Sequence, residues 1–255
     1  MLFLRIKTTI SGNLDECLED IKINRLMLIE DKLNSYRLKA IKDFDCWLID
    51  VHCFVHDMDF IKENLHINTR ETHNNNRSCE NLLFLRYVLT RIILCCNLCI
   101  DFNTLEFEYN IYNKPFIKNK EYKTTFFNVS HSKNLLLVGV KQKKQIGVDV
   151  QFIKNSSYAI HGIESILSHD EWAKYQCIED RVSKLQYLYT VWVQKEALSK
   201  ALGCGLVLNF TQITVKYFAG VQSSAYLLFV ASVAKTFSMY ISTNDKFCLS
   251  AAYQV

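Results

Sequence analysis

Proline is almost missing from this chain: the single one among 255 residues is Pro115. No Pro/Gly-rich stretch announces a linker between domains, and no internal repeat is visible. Long apolar runs are scarce as well. The most apolar stretch, Ile92 to Ile100, falls well short of the roughly 20 residues a membrane span needs, so no membrane partner is expected. The N-terminus, Met1-Leu2-Phe3-Leu4-Arg5-Ile6-Lys7, meets charge at once and lacks the layout of a secretory signal. A cytoplasmic protein with reduced thiols is therefore the expectation. No long Lys/Arg run or nucleic-acid motif accompanies the formal net charge of +4, so nucleic acid is not an expected partner. That mild excess does suit an acidic protein or a polyanionic small molecule. Ten cysteines are present, yet only one C-x-x-C, inside Cys95-Cys96-Asn97-Leu98-Cys99, and no second pair or paired His completes a zinc set. Buried free thiols are the simpler reading.

What is present is apolar enough to fold. Hydrophobic residues make up 49% of the chain, which supports a real core in one large domain or two small ones. Residues 1 to 44 carry a helical pattern and read as an added N-terminal segment. Cys46 to Val55 reads as a buried strand, on which His52 and His56 share a face without converging on a metal. Ser78 is placed to cap a helix of about 21 residues that includes Leu82, Leu85, Leu89 and Ile93. Arg77, Arg86 and Arg91 lie along it, either solvated or reaching a phosphate. Leu135 to Val140 and Ile146 to Phe152 read as a hairpin, and residues 185 to 202 as a helix stopped by Gly203. Strands are expected at Gln212 to Phe218, Ala225 to Ala231, Phe237 to Ser242 and Phe247 to Tyr253. The pattern is α+β, with strands and one long helix in each half, and the best boundaries are 1–44, 45–143 and 144–255.

Four short segments carry chemistry. In Gly147-Val148-Asp149-Val150-Gln151, alternation puts Gly147, Asp149 and Gln151 on one face. Gly147 leaves room for something bulky, Asp149 offers a hard oxygen suited to Mg2+, and Gln151 adds an amide oxygen. The plainer alternative is a solvated Asp on a hairpin. Along the 185–202 helix the apolar row Leu185, Leu188, Tyr189, Trp192 continues into Glu196 and Lys200. These two are either an i,i+4 ion pair worth about 0.3–0.5 kcal/mol or groups that need a metal and a phosphate as partners. Asn128-Val129-Ser130-His131-Ser132 reads as a turn whose hydroxyls, N–H groups and histidine could cradle an anion. Asn113-Lys114-Pro115-Phe116 sets a cation on a stiffened turn.

In this order the four segments resemble the blocks of a 4'-phosphopantetheinyl transferase of the larger, two-lobed, surfactin-synthetase-activating type. The last of them, Trp192-Val193-Gln194-Lys195-Glu196-Ala197-Leu198-Ser199-Lys200-Ala201-Leu202-Gly203-Cys204-Gly205-Leu206, is the most specific. The resemblance spans about residues 46 to 253 and leaves the first 44 or so unplaced. It implies two similar α/β lobes related by a pseudo-twofold, each a small, mostly antiparallel sheet packed with a long helix, with coenzyme A between them. It implies Asp149 and Glu196 as ligands of Mg2+ or Mn2+, with Gln151 where many members have a third acid. It gives Glu196 as base, Lys200 near the pyrophosphate, Ser130 and His131 around the 3'-phosphate, and Lys114, Pro115 and Lys195 with the cofactor. The implied reaction moves 4'-phosphopantetheine from coenzyme A to a serine of an apo acyl or peptidyl carrier protein, releasing adenosine 3',5'-bisphosphate, by a monomer. A rival is a weak or inactive homologue that holds coenzyme A or a carrier. A second rival is a Mg2+-dependent phosphohydrolase using Asp149 and Glu196.

Overall fold

The structure, a computed structural model, describes residues 28–38, 44–65, 77–155, 157–203, 208–217 and 223–255. Cys204 and Gly205 lie outside the described residues, as do 1–27. The chain forms two compact units. The first comprises Met1–Glu108, Ile117–Lys123 and Asn134–Leu136; the second comprises Tyr109–Phe116, Thr124–Lys133 and Leu137–Val255. The expected boundary at 143/144 is therefore corrected, because the segment around Asn128 to Ser132 belongs with the second unit.

In the first unit, α1 is helical over residues 28–35 and buries Ile29 and Leu33. The described part of the presumed N-terminal addition is thus part of this unit's core. Arg37 bridges to Trp47 in the backbone and pairs with Asp45. Strand β1 covers Asp45–Asp50 and stops where Asp50 accepts the N–H of His52 and caps a 3-10 helix, Val51–Asp57. The strand expected to Val55 is cut short by that side-chain competition for the backbone. His52 and His56 are exposed on the 3-10 turn. Helix α2 (Met58–Asn64) precedes α3 (Arg77–Leu98), and Ser78 sits inside α3 rather than at its cap. Phe84, Leu85, Val88, Leu89, Ile92 and Ile93 form its buried side. By length and composition, Asn81–Leu98 could cross a membrane, and half of it is buried within the protein. Arg91 does not wait for a phosphate. It donates to the carbonyls of Phe102 and Leu105 and to the Tyr87 hydroxyl, and it stacks on Phe102 and Phe107.

The second unit is built on a four-stranded antiparallel sheet in the order β6-β9-β8-β7. Its strands are β6 (Ile146–Phe152), β7 (Ser223–Val230), β8 (Lys235–Thr243) and β9 (Phe247–Gln254). Preceding them are β4 (Thr125–Ser132) and β5 (Leu135–Gln142). β5 pairs with β4, whereas β6 pairs with β9. The expected hairpin of β5 and β6 therefore has its turn, with Lys143 left-handed at φ 67, but its strands part into different sheets. Residues 213–217 form no strand; they follow a 3-10 turn, Phe210–Gln212.

Helix α6 (Arg181–Leu202) lies on this sheet, begun by Asp180 accepting the Ser183 N–H and ended by left-handed Gly203 at φ 73. Short helices α4 (Ser157–Glu164) and α5 (His169–Gln176) pack on it. Along its second half nearly every position is buried except the row Trp192, Glu196, Lys200. The predicted row is real, but it is the helix's half-open edge, since the core takes every other face.

Candidate active site

Strand β6 and helix α6 meet at Gly147. A Cβ built there would lie 2.0 Å from the Ala197 carbonyl oxygen and 2.2 Å from the Ala201 nitrogen. The space left by the glycine is filled by helix backbone, not by a ligand. Beneath the helix, β9 contributes small residues: Ala252 pairs with Gly147, Ser250 with Asp149, and Cys248 with Gln151. This close approach brings Asp149, one pleat further along, beside the half-open edge of α6.

Asp149 is 1% exposed. Its Oδ1 accepts from the Lys200 ammonium at 2.6 Å and from the Ser130 hydroxyl at 2.6 Å. Its Oδ2 accepts from the Gln151 amide nitrogen at 3.3 Å. Lys200 also donates to Ser130 Oγ at 3.2 Å, and its side chain keeps 28% exposure. Glu196 stands one helical turn before Lys200. Its Oε1 is buried with no hydrogen-bond partner among the described residues. Burial pushes the Glu196 carboxyl above its ordinary range; the Lys200 charge pulls it back, and the Asp149 charge pushes it up again. The charges of Lys200 and Asp149 thus both act on Glu196.

The donor set suits a hard divalent cation. A buried oxygen without a partner, beside a second carboxylate, costs free energy until something positive or a proton meets it. Mg2+ takes one or two carboxylates and keeps several waters, and two carboxylates are what is present. Among the described residues no three of His, Cys, Asp and Glu gather. Gln151 does not supply the third oxygen: its amide nitrogen faces Asp149 while its oxygen accepts from Ser132 at 3.4 Å. The amide restrains Asp149 and corrects the expectation of a third ligand.

Other expected residues take different places. The Asn128–Ser132 block is no turn; it is the end of strand β4, running beside β6. Asn128 Oδ1 accepts the N–H of Val148 at 2.9 Å, Ser130 Oγ that of Val150 at 3.3 Å, and Ser132 Oγ that of Phe152 at 3.0 Å. Alternate side chains of β4 therefore do for β6 what a neighbouring backbone would do in a sheet. His131, between them, is exposed and points to the other face; the structure does not bring it to Asp149. Lys114 donates to the carbonyls of Lys200 and Ile146, satisfying an orphan carbonyl at the end of α6 and opposing its dipole. Asn110 helps by donating to the Gly203 carbonyl and by accepting the Lys114 N–H. Pro115 opens the short strand β3 (Pro115–Ile117). This block ties down the helix that carries Glu196 and Lys200.

Lys195 is the clearest correction. It is fully buried and donates to Glu171 and to the carbonyls of Ile166 and Phe210. Burial lowers its pKa while Glu171 opposes the shift. Glu171 in turn accepts the N–H groups of Ser168 and Val215. With three donors spent inside the core, Lys195 has none for a cofactor. It points away from the site because helical spacing sets it about 100° from Glu196. Sequence reasoning missed the work of Asn128 and Ser132; their i, i+2, i+4 spacing with Ser130 on a strand was the available signal.

Residues 145–251, which hold Asp149, Gln151, Glu196 and Lys200, match the 4'-phosphopantetheinyl transferase superfamily. The chain is 31% identical over 114 residues to a holo-[acyl-carrier-protein] synthase of Buchnera aphidicola, covering 40% of this chain and 88% of that protein. It is 28% identical over 119 residues to the 4'-phosphopantetheinyl transferase HetI of Nostoc sp., covering 46% of this chain and 50% of that one. The chain spans about half the length of the longer curated relatives it matches. A solved holo-(acyl-carrier-protein) synthase from Bacillus anthracis, in complex with CoA (3',5'-ADP), covers 43% of this chain and 94% of that chain. The TM-score is 0.33 at 16% identity.

Proposed function

Because the chain belongs to the 4'-phosphopantetheinyl transferase superfamily, we propose that it transfers 4'-phosphopantetheine from coenzyme A to a serine of an apo acyl or peptidyl carrier protein. The observation that carries this reading is the grouping of Asp149, Lys200 and the unpartnered Glu196 Oε1. Asp149 and Glu196 would hold Mg2+ or Mn2+, which when bound supplies positive charge to a pyrophosphate.

The chain's own residues then have distinct tasks. The carrier serine oxygen forms a bond to the β-phosphorus of coenzyme A, and the bond from that phosphorus to the bridging oxygen breaks. Glu196, made more basic by burial, is the carboxylate suited to take the serine proton. Lys200, with its partly exposed side chain, balances the charge that develops on the departing adenosine 3',5'-bisphosphate. Asp149, held by three donors, is the second carboxyl group the site offers to a cation.

A second reading, a homologue that holds coenzyme A or a carrier without turnover, draws on one observation: Gln151 presents its NH2, not an oxygen, to Asp149. Intact-mass measurement of an apo carrier panel with coenzyme A and Mg2+ separates the two. The carrier gains one phosphopantetheinyl mass if transfer occurs. No gain with any carrier, at saturating coenzyme A, refutes the transferase reading. Coenzyme A breakdown without a carrier supports a hydrolase instead. Asp149→Ala and Glu196→Ala should each abolish the gain in mass.

A further inference from the structure

Glu196 Oε1 has no hydrogen-bond partner among the described residues, so no side chain aims that oxygen. Its direction is set by the rotation of α6 about its own axis. A turn of about 20° moves a group at the outer radius of a helix, roughly 5–6 Å, by about 2 Å. Apolar packing resists separation but is non-directional, and the Gly147 contact sets how closely α6 approaches β6. The rotation is held by the two residues just before Glu196, which are polar yet fully buried: Gln194 and Lys195. Gln194 donates to the carbonyls of Thr190 and Lys216 at 3.0 Å and accepts from the Tyr226 hydroxyl. Lys195 donates to the carbonyls of Ile166 and Phe210, each at 2.8 Å, and to Glu171 Oε2.

We infer that Glu171 is a positioning residue for Glu196: acting through Lys195, it fixes the rotation of α6 at which Glu196 stands beside Asp149 and Lys200. This rests on the metal-site part of the transferase reading and adds to it a residue from a different helix. Glu171 is 1% exposed, and each of its oxygens is already held by main chain. Oε1 accepts the Val215 N–H at 2.7 Å, and Oε2 accepts the Ser168 N–H at 2.8 Å. The Glu171 carbonyl accepts from the Tyr187 hydroxyl at 3.0 Å, and the Ser168 hydroxyl is bonded to Thr214 Oγ1 at 2.8 Å. The start of α5, the middle of α6 and the segment 213–215 therefore meet at one carboxylate. A buried ion pair adds little net stability over well-packed apolar side chains. What it adds here is direction: three donors of one ammonium, spent on three fixed acceptors, leave α6 a single rotation at Lys195. Glu196 follows in the same helix, about 100° further round, so the angle fixed for one is fixed for the other.

The test uses the full chain carrying Glu171→Gln together with Lys195→Met, which removes both charges at similar volume and strands neither. A second variant, Glu171→Asp, keeps the charge but draws it back by one methylene. Calorimetry with Mn2+, in the absence of coenzyme A, reads the affinity and the number of sites per chain separately. The double variant should bind Mn2+ about tenfold more weakly, about 1.4 kcal/mol, at an unchanged number of sites, with Glu171→Asp in between. At saturating Mn2+ its transfer kcat should remain at least about tenfold below wild type, because a mis-aimed Glu196 also meets the serine proton badly. If the double variant fails to fold, Glu171→Asp decides alone. Fewer sites at unchanged affinity, the mark of a purely structural loss, overturns the inference, as does wild-type affinity in both variants. A wild-type chain that binds no Mn2+ while still transferring overturns it too, leaving the transferase reading intact. No transfer by the wild type, with Mn2+ bound and weakened in both variants, sinks the transferase reading while supporting the role of Glu171.

Discussion

Replacing Gly147 by alanine tests the contact on which the site depends. The new Cβ would sit 2.0 Å from the Ala197 carbonyl oxygen, 2.2 Å from the Ala201 nitrogen and 2.8 Å from the Lys200 carbonyl carbon, where ordinary contact is 3.4–4 Å. More than an ångström must be found. The obstacles are helix main chain, and α6 is buried on nearly every face at this point, so no flexible side chain can give way. Overpacking of this kind typically costs about 1–3 kcal/mol, and backbone obstacles place Gly147→Ala at the top of that range. In a chain of this size 3 kcal/mol lowers Tm by roughly 6–12 °C. The same displacement moves Glu196 and Lys200 away from Asp149, and a misplacement of about 1 Å can cost on the order of a hundredfold in rate. The control is Gly162→Ala in α4, where a Cβ meets nothing within 4 Å; there the change should stabilise by up to about 1 kcal/mol. Thermal melts followed by circular dichroism, with Mn2+ titration on each variant, make the comparison. A Gly147→Ala protein that melts with the wild type and binds Mn2+ equally well would refute the close approach of β6 and α6.

Three further outcomes follow from the same geometry. The raised Glu196 pKa means that the fold favours the protonated form: its contribution is full below the ordinary value of 4.5 and is lost as pH rises through the folded value. Glu196→Gln should therefore melt above wild type at pH 7 in EDTA, with the gap closing on acidification below pH 4.5; a gap that grows on acidification contradicts the assignment. Lys195→Met strands Glu171 inside the core and should cost about 3–5 kcal/mol, read from urea unfolding, with Glu171→Gln on top recovering part of the loss; a near-neutral single variant would show the pair is not buried as described. Lys200→Met takes away Asp149's resident counter-charge, so Mn2+ affinity measured by calorimetry should rise about tenfold while transfer falls, and unchanged affinity would mean that lysine and metal do not compete.

The legible parts of this protein were those governed by neighbours in sequence. The alternation in Ile146–Phe152 puts Asp149 and Gly147 on one face, and the four-residue spacing from Trp192 puts Glu196 and Lys200 on one helix edge; both hold in the structure. Where competition between local and distant partners decides, the reading slipped. Asp50 turns a strand into a 3-10 helix by capping it. The β5 and β6 strands share a turn but take different partners. Lys195 differs from Lys200 only in which face of α6 it occupies, and nothing local says that its face has Glu171 waiting.

Taken by itself, the sequence determined the α+β character, the long helix with its Gly203 stop, and which acidic and basic residues could belong to one site. These follow from periodicity and capping, which act over a few residues. Only the tertiary structure decided what each polar group is bonded to. Gly147 turned out to admit a helix, and the Asn128–Ser132 block turned out to hold a strand edge rather than an anion. Hydrogen-bond capacity is written in a residue's side chain, but its partners come from segments far away in the chain, and only packing brings them within 3 Å.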